Sequence, residues 1–405
     1  MSSSKNSDIE FVEDILDAMP RLKHIRDRRN PSELFDDVEF KMRYSFNKLT
    51  VAELVNMIGP DLEKDIYPIF YLFQKVKLHY VEAGSKDQPL MLFLHGFPDC
   101  WISWRYQVPF FSEYFRVVSL DLKGFGDSDK PISRGQYHLE TILEELEQFI
   151  LALGVSSCIL VGHDIGALLG WFLAKQNPSL IDKFVSISCS HPNVCWNYLP
   201  SNGIHSSNWI KFVQCPGLPE LDAMKSDLKI IKDYHQYLHE KYTQDKEILE
   251  AYKYTFSRKE DWSGPLNYFR TLPFHRIQGK EQIEVPTLLV TGNKDNFVNL
   301  EGIVMSTDYC KKFFVKIIEN TGHYPHQEDP ENFNKVLIKF LKVKPTPRRN
   351  KLGDRSPSKR LMDKMFGAMS STVKYGNSVL DSVNKRTNGV VSIPSSFGLP
   401  PHQND

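Results

Sequence analysis

Five residues, Gly162-His163-Asp164-Ile165-Gly166, constrain this chain more than any others. They follow a short apolar run, Cys158-Ile159-Leu160-Val161, and precede a second, Ala167-Leu168-Leu169-Gly170-Trp171. The first run reads as a buried strand and the second as the opening of an apolar helix. A strand that passes into a helix within five residues needs a sharp turn. Small residues at 162 and 166 allow the backbone to make it, and the side chain at 164 then projects above the strand end.

That side chain is a carboxylate, which decides the chemistry open to it. A hydroxyl alkylated at a saturated carbon becomes an ether, which water does not readily cleave. An alkylated aspartate becomes an ester, which water hydrolyses at the carboxyl carbon. An aspartate at this turn therefore implies attack on a saturated carbon bearing a leaving group, such as an epoxide or an alkyl halide. On these five residues alone the plainer reading, an aspartate capping the helix, stays open.

The surroundings supply partners for such a nucleophile. Thr321-Gly322-His323 follows a late apolar strand, which suits a loop histidine acting as the base that activates water. The run from Val285 to Val290 leads through Thr291-Gly292-Asn293-Lys294 to Asp295, an acid placed to orient that base. Singly, each is most simply a surface residue. Together they keep the chain order nucleophile, acid, histidine. Backbone N–H groups should hold the developing charge on the carboxyl oxygen, from Ile165 and from Phe97 in His95-Gly96-Phe97-Pro98. His95 itself is expected to brace that loop, and His326 to be a neighbour nearer the last helix.

The rest of the chain organises around this core. Candidate strands at 76–81, 90–94, 115–120, 158–161 and 183–188 alternate with candidate helices at 101–112, 138–153 and 165–176. That alternation predicts an α/β fold, a mostly parallel sheet with helices on both faces. From 192 to 278 strands vanish and aromatic and charged residues mix at helical spacing, as in a helical cap. Strands return at 285–290 and 314–318, and a helix over 332–341 closes the domain. The expected division is a helical N-terminal extension (1–74), core (75–191), cap (192–278), core (279–343) and tail (344–405). In the extension, Thr50 to Glu53 fits a capping box, and Phe11, Val12, Ile15, Leu16 and Met19 share a helical face.

Charge narrows the partners. Lys and Arg total 50, as do Asp and Glu, so no global field draws nucleic acid to the protein. The tail is the basic exception, with residues from Lys344 to Arg386 outnumbering Asp354, Asp363, Asp381 and Asp405. Apolar residues at helical spacing within 357–384 could lie on a membrane surface or a partner; the plainer reading is a solvated, disordered tail. No apolar run approaches a transmembrane span of about 18 residues. The first ten residues do not read as a signal peptide. Six cysteines without paired spacing suggest neither disulfides nor zinc. A cytoplasmic location, peripheral on membranes at most, is the expectation.

With these residues in view, the chain resembles the epoxide hydrolase branch of the α/β-hydrolase fold. His95-Gly-Phe-Pro-Asp-Cys-Trp-Ile-Ser-Trp104-Arg, Asp121-Leu-Lys-Gly-Phe-Gly126-Asp-Ser-Asp-Lys-Pro131 and Gly162-His-Asp164-Ile-Gly-Ala carry the resemblance, which spans residues 75–342. It implies Asp164 as nucleophile, His323 as base, Asp295 as its partner and the Phe97 and Ile165 N–H groups as the oxyanion site. No cofactor or metal is implied, and the substrate would be a small lipophilic molecule.

The cap departs from the family pattern. Such enzymes hold the epoxide oxygen with two cap tyrosines, and the matching positions here are Trp209 and Phe269. Phe269 has no donor, and the Trp209 indole cannot release its proton at useful pH. Tyr268 lies about 100° round the helix and is an imperfect substitute; Tyr198 and Tyr254 are further candidates. Aromatic residues from Trp196 to Phe269 would line an apolar pocket or form the cap's own core. Two alternatives to an epoxide hydrolase stay open: a weak or inactive member that binds a ligand or partner, and a dehalogenase-like or other hydrolase using the same aspartate. Ile165, where dehalogenases often carry Trp, weakens the last.

Overall fold

The computed structural model describes residues 67–73, 76–200, 205–237 and 245–343. The capping box, the helical face at 11–19 and the basic tail lie outside them. Eight strands form one sheet: β1 (Tyr67–Phe73), β2 (Val76–Ala83), β3 (Leu90–Leu94), β4 (Arg116–Leu120), β5 (Cys158–His163), β6 (Ile181–Ile187), β7 (Thr287–Gly292) and β8 (Phe313–Ile318). Their order is β1-β2-β4-β3-β5-β6-β7-β8. Pairings from β4 onward are parallel, and β2 pairs antiparallel with both β1 and β4.

Period-two alternation explains why continuous apolar runs suit these strands. In β3, Leu90, Leu92 and Leu94 enter one core layer, while Met91 and Phe93 enter the other. In β5, Cys158 and Leu160 divide from Ile159 and Val161 in the same way. Helices cover both layers. They are α1 (Gln107–Phe111), α2 (Leu139–Ala152), α3 (Ile165–Gln176), α4 (Pro192–Cys195), α5 (Ser207–Val213), α6 (Leu218–Ala223), α7 (Lys225–Tyr234), α8 (Asp245–Thr255), α9 (Glu260–Thr271), α10 (Leu300–Ser306), α11 (Pro325–Glu328) and α12 (Pro330–Leu341). The helices α4 to α9 lie between β6 and β7, where the sequence predicts the cap.

Three expectations need correction. The region assigned to a helical extension ends in a strand, β1, antiparallel to β2. Its sequence, Tyr-Pro-Ile-Phe-Tyr-Leu-Phe, is aromatic and β-branched, and an edge strand tolerates its proline. The single helix expected over 101–112 divides into a 3₁₀ turn, Trp101–Trp104, and α1. Pro109 has no N–H to continue the earlier turn but fits the first turn of a new helix. The strand expected from 285 starts at Thr287, because Pro286 cannot donate to a ladder. No helix among the described residues is long and apolar enough to cross a membrane. All six cysteines are free thiols.

Candidate active site

Because β3, β5, β7 and β8 run parallel, their carboxyl ends open on one edge of the sheet, where ligands bind in such folds. The loop after β3 brings Phe97 there, β5 brings Asp164, β7 brings Asp295 and β8 brings His323.

Asp164 occupies the turn with φ +48° and ψ −114°, a conformation costly for a residue with a side chain. The surroundings enforce it. The Asp164 N–H donates to the Ile187 carbonyl at 3.1 Å, and the Gly166 N–H donates to the His95 carbonyl at 3.1 Å. A Cβ at Gly166 would lie 2.3 Å from the Leu94 carbonyl oxygen, and one at Gly162 would lie 2.5 Å from the Gly166 oxygen. Close backbone approach therefore demands glycine at both. Asp164 stands at the N-cap of α3 but makes no side-chain capping bond. Instead its Oδ2 accepts the Phe97 N–H at 2.9 Å. No hydrogen bond joins the Ile165 N–H, the second expected donor, to that carboxylate here.

His323 lines the same cavity as Asp164. Its Nδ1 lies 3.1 and 3.2 Å from the two Asp295 carboxylate oxygens, so the ring proton sits on Nδ1 and is donated there. Nε2 is buried with no hydrogen-bond partner among the described residues. Asp295 also accepts the Phe297 N–H at 2.8 Å and the Thr291 hydroxyl at 3.1 Å. Burial opposes charge on Asp295, but His323 and the Phe297 N–H hold its carboxyl below the usual range. Burial likewise opposes a charged His323, yet the Asp295 and Asp164 carboxylates hold its pKa above the ordinary 6.5.

The neighbouring histidines are positioning groups. His163 lies across the His323 carbonyl with Nε2 at 2.9 Å, and burial, then His326 and His323, keep it neutral. The Leu122 N–H donates to His95 Nε2 at 3.1 Å, so His95 Nδ1 carries the proton and donates to the Gly96 carbonyl at 2.8 Å. Donor atoms of Asp99, His163 and His326 lie within 4.8 Å of one another, a spacing that a metal ion could use. Asp99 is already satisfied by the Cys100 N–H, the Ser103 hydroxyl and the Gln327 amide. His326 Nε2 meets the Ser103 hydroxyl at 2.9 Å. These contacts commit Asp99 and one nitrogen of each ring, while His163 Nδ1 and His326 Nδ1 are buried without a hydrogen-bond partner among the described residues.

The cavity has a volume of about 70 Å³, and its walls include Asp164, His323, Phe297, Trp196, Phe269 and His205. Phe269 is where the sequence places it, and Tyr198 is a wall residue too, its hydroxyl 3.0 Å from the Met305 sulfur. Trp209 stands behind the wall, with its ring 4.9 Å from Phe269 and 5.9 Å from Phe97. Tyr268 corrects an expectation: it does not line the cavity that holds Asp164 and His323. It is fully buried, donates to the Lys123 carbonyl at 3.0 Å and packs on Phe125 and Tyr137. With Phe269 facing the cavity, its neighbour on α9 must face the core. Phe256 and Trp262 are buried as cap core, and Tyr254 is 40% exposed. The sequence reading missed His205, a cavity residue just before Ser206, whose hydroxyl caps α5 by accepting the Trp209 N–H at 3.2 Å.

A parallel sheet with this turn after β5, an acid after β7 and a histidine after β8 defines an α/β-hydrolase, and the alpha/beta hydrolase fold family matches residues 89–330. Epoxide hydrolase 4 of Homo sapiens is 36% identical over 276 residues, which cover 66% of this chain and 76% of the human protein. Epoxide hydrolase 3 of Xenopus tropicalis is also 36% identical, over 66% of this chain and 75% of the frog protein. A crystal structure of an epoxide hydrolase from Vigna radiata matches with TM-score 0.60 at 26% identity, over 69% of this chain and 98% of that one. The chain belongs to the α/β-hydrolase fold family, in its epoxide hydrolase branch, and is a hydrolase of that type.

Proposed function

We propose that this hydrolase opens lipophilic epoxides in two steps through an ester on Asp164. One observation carries the reading: the Asp164 carboxylate, bonded to the Phe97 N–H, shares a cavity with a His323 ring that Asp295 orients. Oδ2 is held by the Phe97 N–H, which leaves Oδ1 to attack an oxirane carbon. The carbon–oxygen bond breaks and its electron pair goes to the ring oxygen. In the second step His323 Nε2 takes a proton from water, and the oxygen attacks the ester carbonyl carbon. Charge then develops on a carboxyl oxygen facing the Phe97 and Ile165 N–H groups. The ester carbon–oxygen bond then breaks, and its departing oxygen takes the proton held by His323. The alkoxide of the first step takes a proton from solvent water. The diol leaves with Asp164 restored as a carboxylate, whose released proton neutralises the hydroxide formed.

The His323 environment suits this order. Two carboxylates favour its protonated form in the resting protein. Ester formation neutralises Asp164 and removes one of them, so the histidine becomes a freer base when a base is needed. A second reading, a weakly active or ligand-binding member, draws on Phe269 as a cavity wall without a donor.

Mass spectrometry after brief incubation with aryl and fatty-acid epoxides tests the reading. His323→Gln should accumulate an adduct on Asp164, wild type should convert it to diol, and Asp164→Ala should do neither. An absence of both adduct and diol across the panel would move the weight to the binding reading.

A further inference from the structure

Ring opening by Asp164 leaves an alkoxide in a largely apolar cavity, which is costly unless a group donates to it. The side chains expected to do so are unsuited. Phe269 has no donor, Trp209 stands behind the wall, Tyr268 is committed to the Lys123 carbonyl, and Tyr198 reaches the Met305 sulfur.

We propose that His205 is the hydrogen-bond donor to the epoxide oxygen, a catalytic residue that stands in for the absent tyrosines. The assignment rests on the ester reading above. Its ring centroid lies 4.8 Å from that of Phe269 and 5.5 Å from that of Trp209, so it stands against both replaced positions. It is 6.4 Å from the His323 ring and borders the cavity with Asp164 and His323. Asp164 reaches the cavity from the sheet edge and His205 from the cap segment. An oxirane between them would meet a carboxylate and an imidazole from different layers of the fold.

The backbone is arranged for this placement. His205 has φ +66°, a left-handed conformation that non-glycine residues rarely adopt, directly before the capping Ser206. The residue is only 7% exposed, and its Nε2 has no hydrogen-bond partner among the described residues. His163, His191, His323 and His326 also carry a buried ring nitrogen without a partner among the described residues, but of these five histidines only His205 and His323 border the cavity that holds Asp164.

The charge state fits a donor. Asp164, His323, Asp295 and the Tyr234 phenol face the ring. Burial outweighs the attraction of Asp164 and Asp295, His323 adds to it, and the pKa falls to about 4. At neutral pH His205 is therefore an uncharged imidazole, the form that polarises a substrate oxygen in triosephosphate isomerase. In that form its N–H holds the alkoxide while water supplies the proton and leaves as hydroxide. As imidazolium, in more acid solution, it transfers its own proton and returns to neutral imidazole.

The test is the single-turnover rate of Asp164 adduct formation in a His323→Gln background, with an aryl epoxide as probe, read by rapid-quench mass spectrometry. Adding His205→Phe should slow it about 100-fold, the lower end of what removing one hydrogen-bond donor to a developing oxyanion costs. His205→Gln, which keeps a side-chain N–H, should recover at least part of the loss, and so should Phe269→Tyr combined with His205→Phe. The rate should rise as pH falls from 7 to 5 with His205 present and stay flat with His205→Phe. Equal rates with and without His205 overturn the assignment while leaving the Asp164 ester intact. No adduct in His323→Gln with any epoxide overturns the ester reading and this one with it. Should His205→Phe not fold, as judged by its thermal midpoint, the pH series in His323→Gln alone decides, and a flat rate overturns the proposal.

Discussion

Asp164, Asp295 and His323 act on one another through charge as much as through geometry. His323 must be neutral to take a proton from water, and its resting pKa lies above 6.5, with burial opposing and Asp295 and Asp164 raising it. In the ester Asp164 carries no charge, so the His323 pKa lies below its resting value there, and base function is lost as pH falls through that lower pKa. Replacing Asp164 with Asn removes one of the two charges, so the His323 titration, followed by nuclear magnetic resonance, should move to lower pH than in wild type. An unmoved titration would show that the Asp164 charge does not reach His323. These three residues are legible in the sequence because each follows an apolar strand in a fixed chain order. His205 is not, since nothing in its spacing sets it apart from any loop histidine. Its role depends on a left-handed backbone angle and on Phe269, 64 residues later in the chain.

At the scale of elements, α9 settles which aromatic residue lines the cavity. Phe269 and Tyr268 are adjacent, so α9 cannot turn both toward the cavity. Tyr268→Phe should cost about 1–3 kcal/mol in stability, because the buried Lys123 carbonyl loses its partner. Turnover should stay unchanged, and a large loss of activity would return Tyr268 to the site. The same helix pins the cap through Arg270, which donates to Glu220 at 2.8 Å and to the Val213 carbonyl at 2.8 Å. Both charged side chains are nearly buried, so Arg270→Met would strand the Glu220 carboxylate and cost about 3–5 kcal/mol in denaturant unfolding. Strand existence was legible from apolar runs and turn signals. The helix expected over 101–112 breaks at Arg105 and Tyr106, one turn before Pro109, and the strand expected from 285 begins after Pro286. At both prolines a missing N–H overrode the apolar pattern. The strand β1 was passed over because it follows a long mixed-charge stretch and lies at an edge.

At the scale of the whole catalytic unit, the cavity between sheet edge and cap is the quantity that matters for substrate. Its volume of about 70 Å³ is smaller than the roughly 150 Å³ that admits benzene in an engineered protein core. An aryl epoxide must therefore displace a wall. Trp196→Ala, which removes a half-buried wall side chain, should raise kcat/KM for bulky epoxides about tenfold relative to small aliphatic ones; an unchanged ratio would place the limiting constriction elsewhere. The sequence by itself determined the alternation of strands and helices, the carboxylate at the turn after β5 and the partners that follow β7 and β8. Those depend on local propensity and on where apolar runs end. Only the tertiary structure decided which cap side chains face the carboxylate, because a helix presents one stripe of residues to a cavity. Which stripe that is depends on packing against Phe97, Lys123 and Glu220 from distant parts of the chain.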